Sequence, residues 1–277
     1  MSWKIVADSS CDLFELENSC DIKFETVPFV MSIDGTDYVD NADIDTKQLI
    51  DAIDNCKESS QTACPSPGQW VETYADADQI FVLTISSNLS GSYNSALAAK
   101  EMALDDAPDK KIEILDSLST GPEMVLVIRK LVALIESGLS FEEISDKIKK
   151  YMKTTHIIFA LSSYNNLVRN GRIPKIAGLV AGKFKLTGIG IGSPQGTIDI
   201  KKIVRGSKKI VDTIVSDIKT RGENCKNVVI SHCENLELAE SIKQAINTAW
   251  DNINVTIIPT RGLCSYYAER QGIIVGF

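Results

Sequence analysis

The chain has 277 residues, 44% of them hydrophobic and 24% charged, and a formal net charge of -8. That balance is ordinary for a soluble globular protein, with room for one large domain or two of common size. An acidic average surface argues against nucleic acid or an anionic membrane as main partner, and no apolar stretch is long enough for stable membrane insertion.

Trp3-Lys4-Ile5-Val6-Ala7 reads as a first strand ending at Asp8-Ser9-Ser10. Phe24 to Ile33 reads as one extended run with a turn at Asp34-Gly35. Apolar residues at helical spacing predict a helix over Thr46 to Asn55. Ser66-Pro67-Gly68-Gln69 is a capping box with proline at the first helical position, and its helix should reach Tyr74. Gln79 to Ile85 is predicted as strand and Ser92 to Met102 as helix. Lys111 to Leu115 is again strand, and Gly121-Pro122 opens a helix to about Ser137 that is apolar on most faces and should be buried. Ser140-Phe141-Glu142-Glu143 is a second capping box, for a helix to about Lys153.

This alternation predicts an α/β fold whose first part is a parallel sheet with helices on both faces. From His156 the pattern changes to strands, several glycine-rich, with fewer helices until Ile210. Asn227 to Ser231 and Val255 to Pro259 read as strands around a helix over Glu237 to Trp250, and Ile273 to Phe277 as a last strand. A domain boundary is placed near residue 154, giving an α/β domain over 1–153 and a second, mixed α/β domain over 154–277.

In a parallel sheet, ligands sit where strand carboxyl ends meet helix N-termini. Three such ends here are rich in hydroxyls: Asp8-Ser9-Ser10, the run from Ser86 through Ser87, Asn88, Leu89, Ser90 and Gly91 to Ser92, and Asp116 to Thr120. A fourth hydroxyl loop, Thr62 to Ser66, also enters a helix. Helix N-termini favour anions. The hydroxyls therefore read either as ordinary N-caps or as donors to a small anionic head group.

Seven cysteines without Cys-x-x-Cys spacing suggest neither a disulfide framework nor a zinc site. With no signal peptide at the N-terminus, a reduced, cytoplasmic protein is expected. Phosphate-loop, dinucleotide and nucleophile-elbow motifs are missing. With only His156 and His232 available, a hydrolase acting on acyl or phosphoryl substrates would rely on Ser231/His232 or on the Ser86–Ser92 loop. One segment breaks the acidic average. From Lys153 to Ile198 there is no Asp or Glu, whereas Lys153, Arg169, Arg172, Lys175, Lys183 and Lys185 are basic. It reads as a patch that steers a phosphorylated group or acidic partner, or as a solvated face.

Together these residues resemble the bacterial DegV family, the fatty-acid-binding proteins that serve a fatty acid kinase. The resemblance spans essentially the whole chain. It rests on Asp8-Ser9-Ser10, on Thr62-Ala63-Cys64-Pro65-Ser66, on the Ser86–Ser92 run, on Asp116-Ser117, on Asn170-Gly171-Arg172-Ile173 and on Val204-Arg205-Gly206. Two stretches depart from the family pattern. Pro259-Thr260-Arg261-Gly262-Leu263-Cys264 stands where a His-Thr-Gly-Pro-Gly segment is common, and Gly188-Ile189-Gly190-Ile191-Gly192 where Lys-Pro is expected.

The resemblance implies a two-domain DegV-like fold with a long-chain fatty acid in a buried tunnel between the domains. The second domain would cover the acyl chain and carry the basic loop. The carboxylate would lie at Thr62 and Ser90, with Gly91, Ser92, Ser87 and Ser9 beside them, and Arg261 would serve as a cation in place of the missing histidine or stand as a surface arginine. A partner fatty acid kinase would form the acyl phosphate. The chain itself would be a monomeric carrier in phospholipid metabolism, with no cofactor, no metal and no catalytic residue. Arg169, Arg172 and Lys175 would serve the partner or the phosphate, not lipid affinity.

Overall fold

Strand β1 (Trp3–Asp8) is buried almost throughout, as an unbroken apolar run in the middle of a parallel sheet must be. In the computed structural model, which describes residues 2–16, 22–174 and 186–277, a turn of 3₁₀ helix over Ser9–Cys11 follows it. The first half then runs β2 (Ile22–Val27), β3 (Val30–Ile33), β4 (Thr36–Val39), α1 (Thr46–Asn55), β5 (Ser60–Ala63), α2 (Pro67–Thr73), β6 (Gln79–Thr84), α3 (Ser92–Asp106), β7 (Lys111–Asp116), α4 (Pro122–Glu136) and α5 (Phe141–Met152). Strands β2-β1-β6-β7 form a four-stranded, all-parallel sheet.

The run expected as one extended segment, Phe24 to Ile33, is two strands in different sheets. Pro28 divides them, since it has no N–H for the β1 ladder. Beyond it, β3 pairs antiparallel with both β4 and β5 in a small separate sheet. Thr62, expected on a loop, is therefore on strand β5, opposite Met31.

The second half runs β8 (Ile157–Leu161), α6 (Asn165–Arg169), β9 (Leu186–Gly192), β10 (Ile198–Arg205), α7 (Ser207–Arg221), β11 (Asn227–His232), α8 (Leu236–Ala249), β12 (Asn254–Pro259), α9 (Gly262–Ala268) and β13 (Ile273–Gly276). Its six-stranded sheet has the order β10-β9-β8-β13-β11-β12 and is mixed, only β11 and β12 pairing in parallel. Helices α7 and α8 bury Ile210, Ile214, Ile218, Ile242 and Ile246 against one face of this sheet.

Helix α4 packs between the two large sheets, which is why it is apolar nearly all round. One side buries Met124, Val127, Ile128 and Leu131 with Ile5 and Phe81 of the parallel sheet. Val125 and Leu126 instead meet Val229 of β11. Glu123, also buried in its first turn, accepts hydrogen bonds from Ser119 and Thr155. Both capping boxes form as the sequence predicts, at Ser66 with Gln69 and at Ser140 with Glu143.

Candidate functional site

The carboxyl ends of β1 and β6 converge on Asp8. Its carboxylate accepts from Ser10 Oγ at 2.5 Å, Ser92 Oγ at 2.7 Å and the Ile85 N–H at 2.9 Å. Burial raises its pKa, against the pull of those donors. Most of the serine crowding after β6 is thus internal. Ser92 binds Asp8, Ser86 donates to the Gly196 carbonyl at 2.7 Å, and Ser95 to that of Pro65 at 2.6 Å. Ser9 accepts the Phe29 N–H at 3.0 Å, and the Ser87 N–H is held by Asp116 at 3.1 Å. Gly91 is the N-cap of α3, without a side-chain cap.

Neither expectation for Arg261 holds. The side chain is 1% exposed, so it is no surface arginine, and it is absent from the lining of the cavity described below. Its guanidinium is held by the protein. It donates to the carbonyls of Leu13 and Asp40 and to Thr26 Oγ1, lies 3.5 Å from the Asp40 carboxylate, and stacks on Phe14. Asp40 in turn caps α9, accepting the N–H groups of Gly262 and Leu263 at 2.9 Å each. Asp12, pushed up to about 7 by burial, accepts the Arg261 N–H at 2.8 Å. A buried arginine is tolerable only when its donors are met, and this network meets most of them, so Arg261 is corrected from ligand contact to structural clip.

Between the loops of the parallel sheet and the open face of the mixed sheet lie two adjoining narrow cavities, each about 70 Å³. They share Leu89, Thr120, Leu167, Ile198, Tyr267 and Ile274, and so form one slot. One end is mostly apolar, walled by Leu118, Ile157, Phe159 and Leu161, with Ser119 and Thr197 also in its lining. At the other end stand Thr62, Ser90 and Arg172. Thr62 Oγ1 is 2.9 Å from the Tyr267 hydroxyl, and Tyr267 lies 5.8 Å from the Arg172 guanidinium. Burial raises the Tyr267 pKa, opposed by its bond to Thr62 and by Arg172, so its hydroxyl keeps its proton. Arg172 is the one charged residue in the described lining of the slot. Its Nε donates to the Leu89 carbonyl at 3.1 Å, and a terminal nitrogen to that of Asn170 at 2.6 Å. The slot suits a long apolar chain with an anionic end.

Of the residues expected around a head group, the structure brings Thr62 and Ser90 to the slot and ties Ser9, Ser92 and Arg261 into its supports. Gly91 and Ser87 stand beside it without lining it. Arg172, expected to serve a partner alone, is part of the lining. Arg169 is exposed and donates to Ser60 Oγ at 3.0 Å and Cys56 Sγ at 3.2 Å, and it does not line the slot. Lys175 lies outside the described residues. Sequence reasoning missed Tyr267 and Asp40, which have no local signature because their partners are remote in the chain.

Ser231 and His232 are neighbours on β11, so their side chains leave opposite faces of the sheet. Ser231 Oγ is buried against the Asp12 carboxyl, which it helps to hold down, and His232 Nδ1 accepts the Asn235 N–H at 3.2 Å. They do not form a nucleophile and its base. Among the described residues no group of His, Cys, Asp or Glu is placed to hold a metal ion, and no helix is long and apolar enough to cross a membrane.

Comparison with known proteins places this slot in a wider context. A DegV domain-containing protein of Streptococcus gordonii is 38% identical over 278 aligned residues, covering 100% of this chain and 99% of the relative. The crystal structure of the Streptococcus pneumoniae Fatty Acid Kinase (Fak) B3 protein loaded with linoleic acid superposes with a TM-score of 0.96 at 36% identity, over 100% of this chain and 99% of that one. A DegV family protein from Eubacterium eligens, loaded with heptadecanoic acid, gives 0.95 at 37% identity over 99% of both chains. The family model described as "Uncharacterised protein, DegV family" matches residues 2–273. The α/β architecture with one parallel and one mixed sheet is that of these solved structures, and the chain belongs to the DegV family.

Proposed function

We propose that this protein is a non-catalytic carrier of long-chain fatty acids. The observation that carries the reading is the slot itself, an apolar channel whose polar end gathers two hydroxyl donors and one cation. Burying an acyl chain is favourable by about 0.8 kcal/mol per CH₂. A carboxylate drawn in behind it needs donors, or the desolvation cost cancels that gain. Thr62, Ser90 and Arg172 are suited to supply them, with Tyr267 supporting Thr62. Relatives of similar length carry linoleic and heptadecanoic acids.

The carboxylate end is the natural place for a kinase to work, and a relative is the B3 protein of a fatty acid kinase. The carrier therefore presents its bound acid to a partner kinase, which forms the acyl phosphate. In this reading the chain works as a monomer in the cytoplasm, divided near residue 154, with the slot between a domain over 1–153 and a domain over 154–277. Against the hydrolase alternative, Ser231 and His232 face apart, and in the Ser86–Ser92 loop Ser86 and Ser92 are bound to protein groups.

The test is native mass spectrometry of protein purified from cells, followed by lipid extraction. A carrier retains one mass equivalent of a long-chain fatty acid. Protein that comes off empty and takes up no added oleate would refute the proposal.

A further inference from the structure

The slot's long wall is the open face of the mixed sheet, and one strand of that wall has almost no side chains on it. In the register of β8, β9 and β10, Phe159 lies opposite Gly190, which lies opposite Ile200, and on the other side Phe159 faces Ile274 of β13. Directly opposed residues share a face of a sheet. The row on the slot side therefore reads Ile274, Phe159, Gly190, Ile200. Gly188 and Gly192 face the same way, because alternate residues share a face. The intervening Ile189 and Ile191 pack on the far side with α7 and α8.

The space over these glycines is filled from β8 and the turn after it. A Cβ at Gly190 would fall well inside van der Waals contact of Phe159 Cζ and only 2.8 Å from the Asp199 carbonyl. One at Gly188 would meet the ring of Tyr164, and one at Gly192 would lie 2.7 Å from Ile157 Cγ2. An aromatic ring laid over a glycine in a neighbouring strand covers exposed backbone. Here it has a second effect. Phe159 lines the slot, so a ring lying back on Gly190 is a wall drawn back from the channel.

We infer that Gly190 sets the width of the slot through Phe159, and thereby decides whether it takes a bent acyl chain; this rests on the carrier reading above. A side chain at 190 leaves the ring no room over β9. The β9 backbone is held by ladders on both sides, so the ring must move off the sheet and into the channel. A cis-unsaturated chain needs a broader channel at its bend than a saturated chain does. Narrowing therefore discriminates against the bent chain first.

The experiment uses delipidated full-length protein, with oleate and palmitate as probes and melting temperature as the check on folding. Gly190→Ala is expected to weaken oleate by about tenfold relative to palmitate, and Phe159→Leu in the same chain to restore the ratio. Phe159→Leu alone should shift the ratio towards oleate, and this arm decides the matter if Gly190→Ala does not fold. An oleate-to-palmitate ratio unchanged in either single variant, or not restored in the double, overturns the inference while leaving the carrier reading intact. A wild-type protein that takes up neither acid overturns the carrier reading and the inference with it.

Discussion

Thr62→Val removes one hydroxyl and keeps the shape, so it isolates the head-group donor proposed for β5. Thr62 Oγ1 is 2.9 Å from the Tyr267 hydroxyl. Losing that neutral hydrogen bond costs about 0.5–1.5 kcal/mol, a melting shift of a few degrees for a chain of this size. With a carboxylate bound, Tyr267 donates to Thr62 and Thr62 donates onward to the charge. A hydrogen bond to a charged group contributes about 1.5–3 kcal/mol, so affinity should fall roughly tenfold to 150-fold. Tyr267→Phe removes only the supporting donor and should cost roughly twofold to tenfold. The double variant should bind no worse than Thr62→Val, because Tyr267 acts through the missing hydroxyl. Calorimetric titration of delipidated protein with oleate measures all three. Wild-type affinity in a folded Thr62→Val protein would refute the assignment, and strictly additive losses would show that Tyr267 reaches the carboxylate on its own.

Other expectations follow from the same geometry. Arg172→Glu places a second negative charge at the polar end of the slot and should abolish oleate retention; unchanged retention with slower partner-dependent phosphorylation would return Arg172 to a role in the partner step alone. Burial pushes the Asp12 carboxyl up to about 7, well above the ordinary carboxylate value of about 4. Between those values the folded state binds a proton that the unfolded chain has released, so this group lowers stability as pH rises through the window, by up to roughly 4 kcal/mol. Urea unfolding of Asp12→Asn at about pH 5 and pH 8 should show that decline removed, and an unchanged slope would reassign it. Arg261→Ala leaves Asp40 buried without its counter-charge and should cost about 3–5 kcal/mol; denaturation within about 1 kcal/mol of wild type would dissolve the clip.

What was legible in the sequence was local or strongly periodic. The capping boxes at Ser66 and Ser140 form because both partners are three residues apart. Helix α4 could be read as buried because apolar residues occupy most of its faces. The small β3–β4–β5 sheet was not legible, because Ser60–Ala63 has neither a run of β-branched residues nor alternation, and becomes a strand only through β3. That pairing decides where Thr62 points. Arg261 was misread for a related reason. Its partner Asp40 is 221 residues away, and nothing near either residue marks the pair. The serine-rich loop after β6 combined both readings that its composition allowed. Ser86, Ser92 and Ser95 hold protein groups, while Ser90 lines the slot.

The polar end of the slot is assembled from elements that share no local contact in sequence. Thr62 comes from β5, Ser90 from the loop after β6, Arg172 from the turn after α6, and Tyr267 from α9. Their mutual distances are therefore only as fixed as the elements themselves. For α9 the fixing is explicit. Asp40 caps its first two N–H groups, and a Cβ at Gly262 would lie 2.8 Å from the Asp40 carboxyl carbon and 2.7 Å from Met31 Cε, so the helix starts hard against β3. Tyr267 is five residues further along the same short helix. Arg261 holds Asp40 from the other side and ties both to Leu13 and Thr26 of the parallel-sheet region. A cation that never lines the slot thus orients a hydroxyl that does. This also explains how the chain can lack a histidine at the start of α9. An arginine there serves the scaffold, and Arg172, in the turn after α6, is the charged residue that lines the slot.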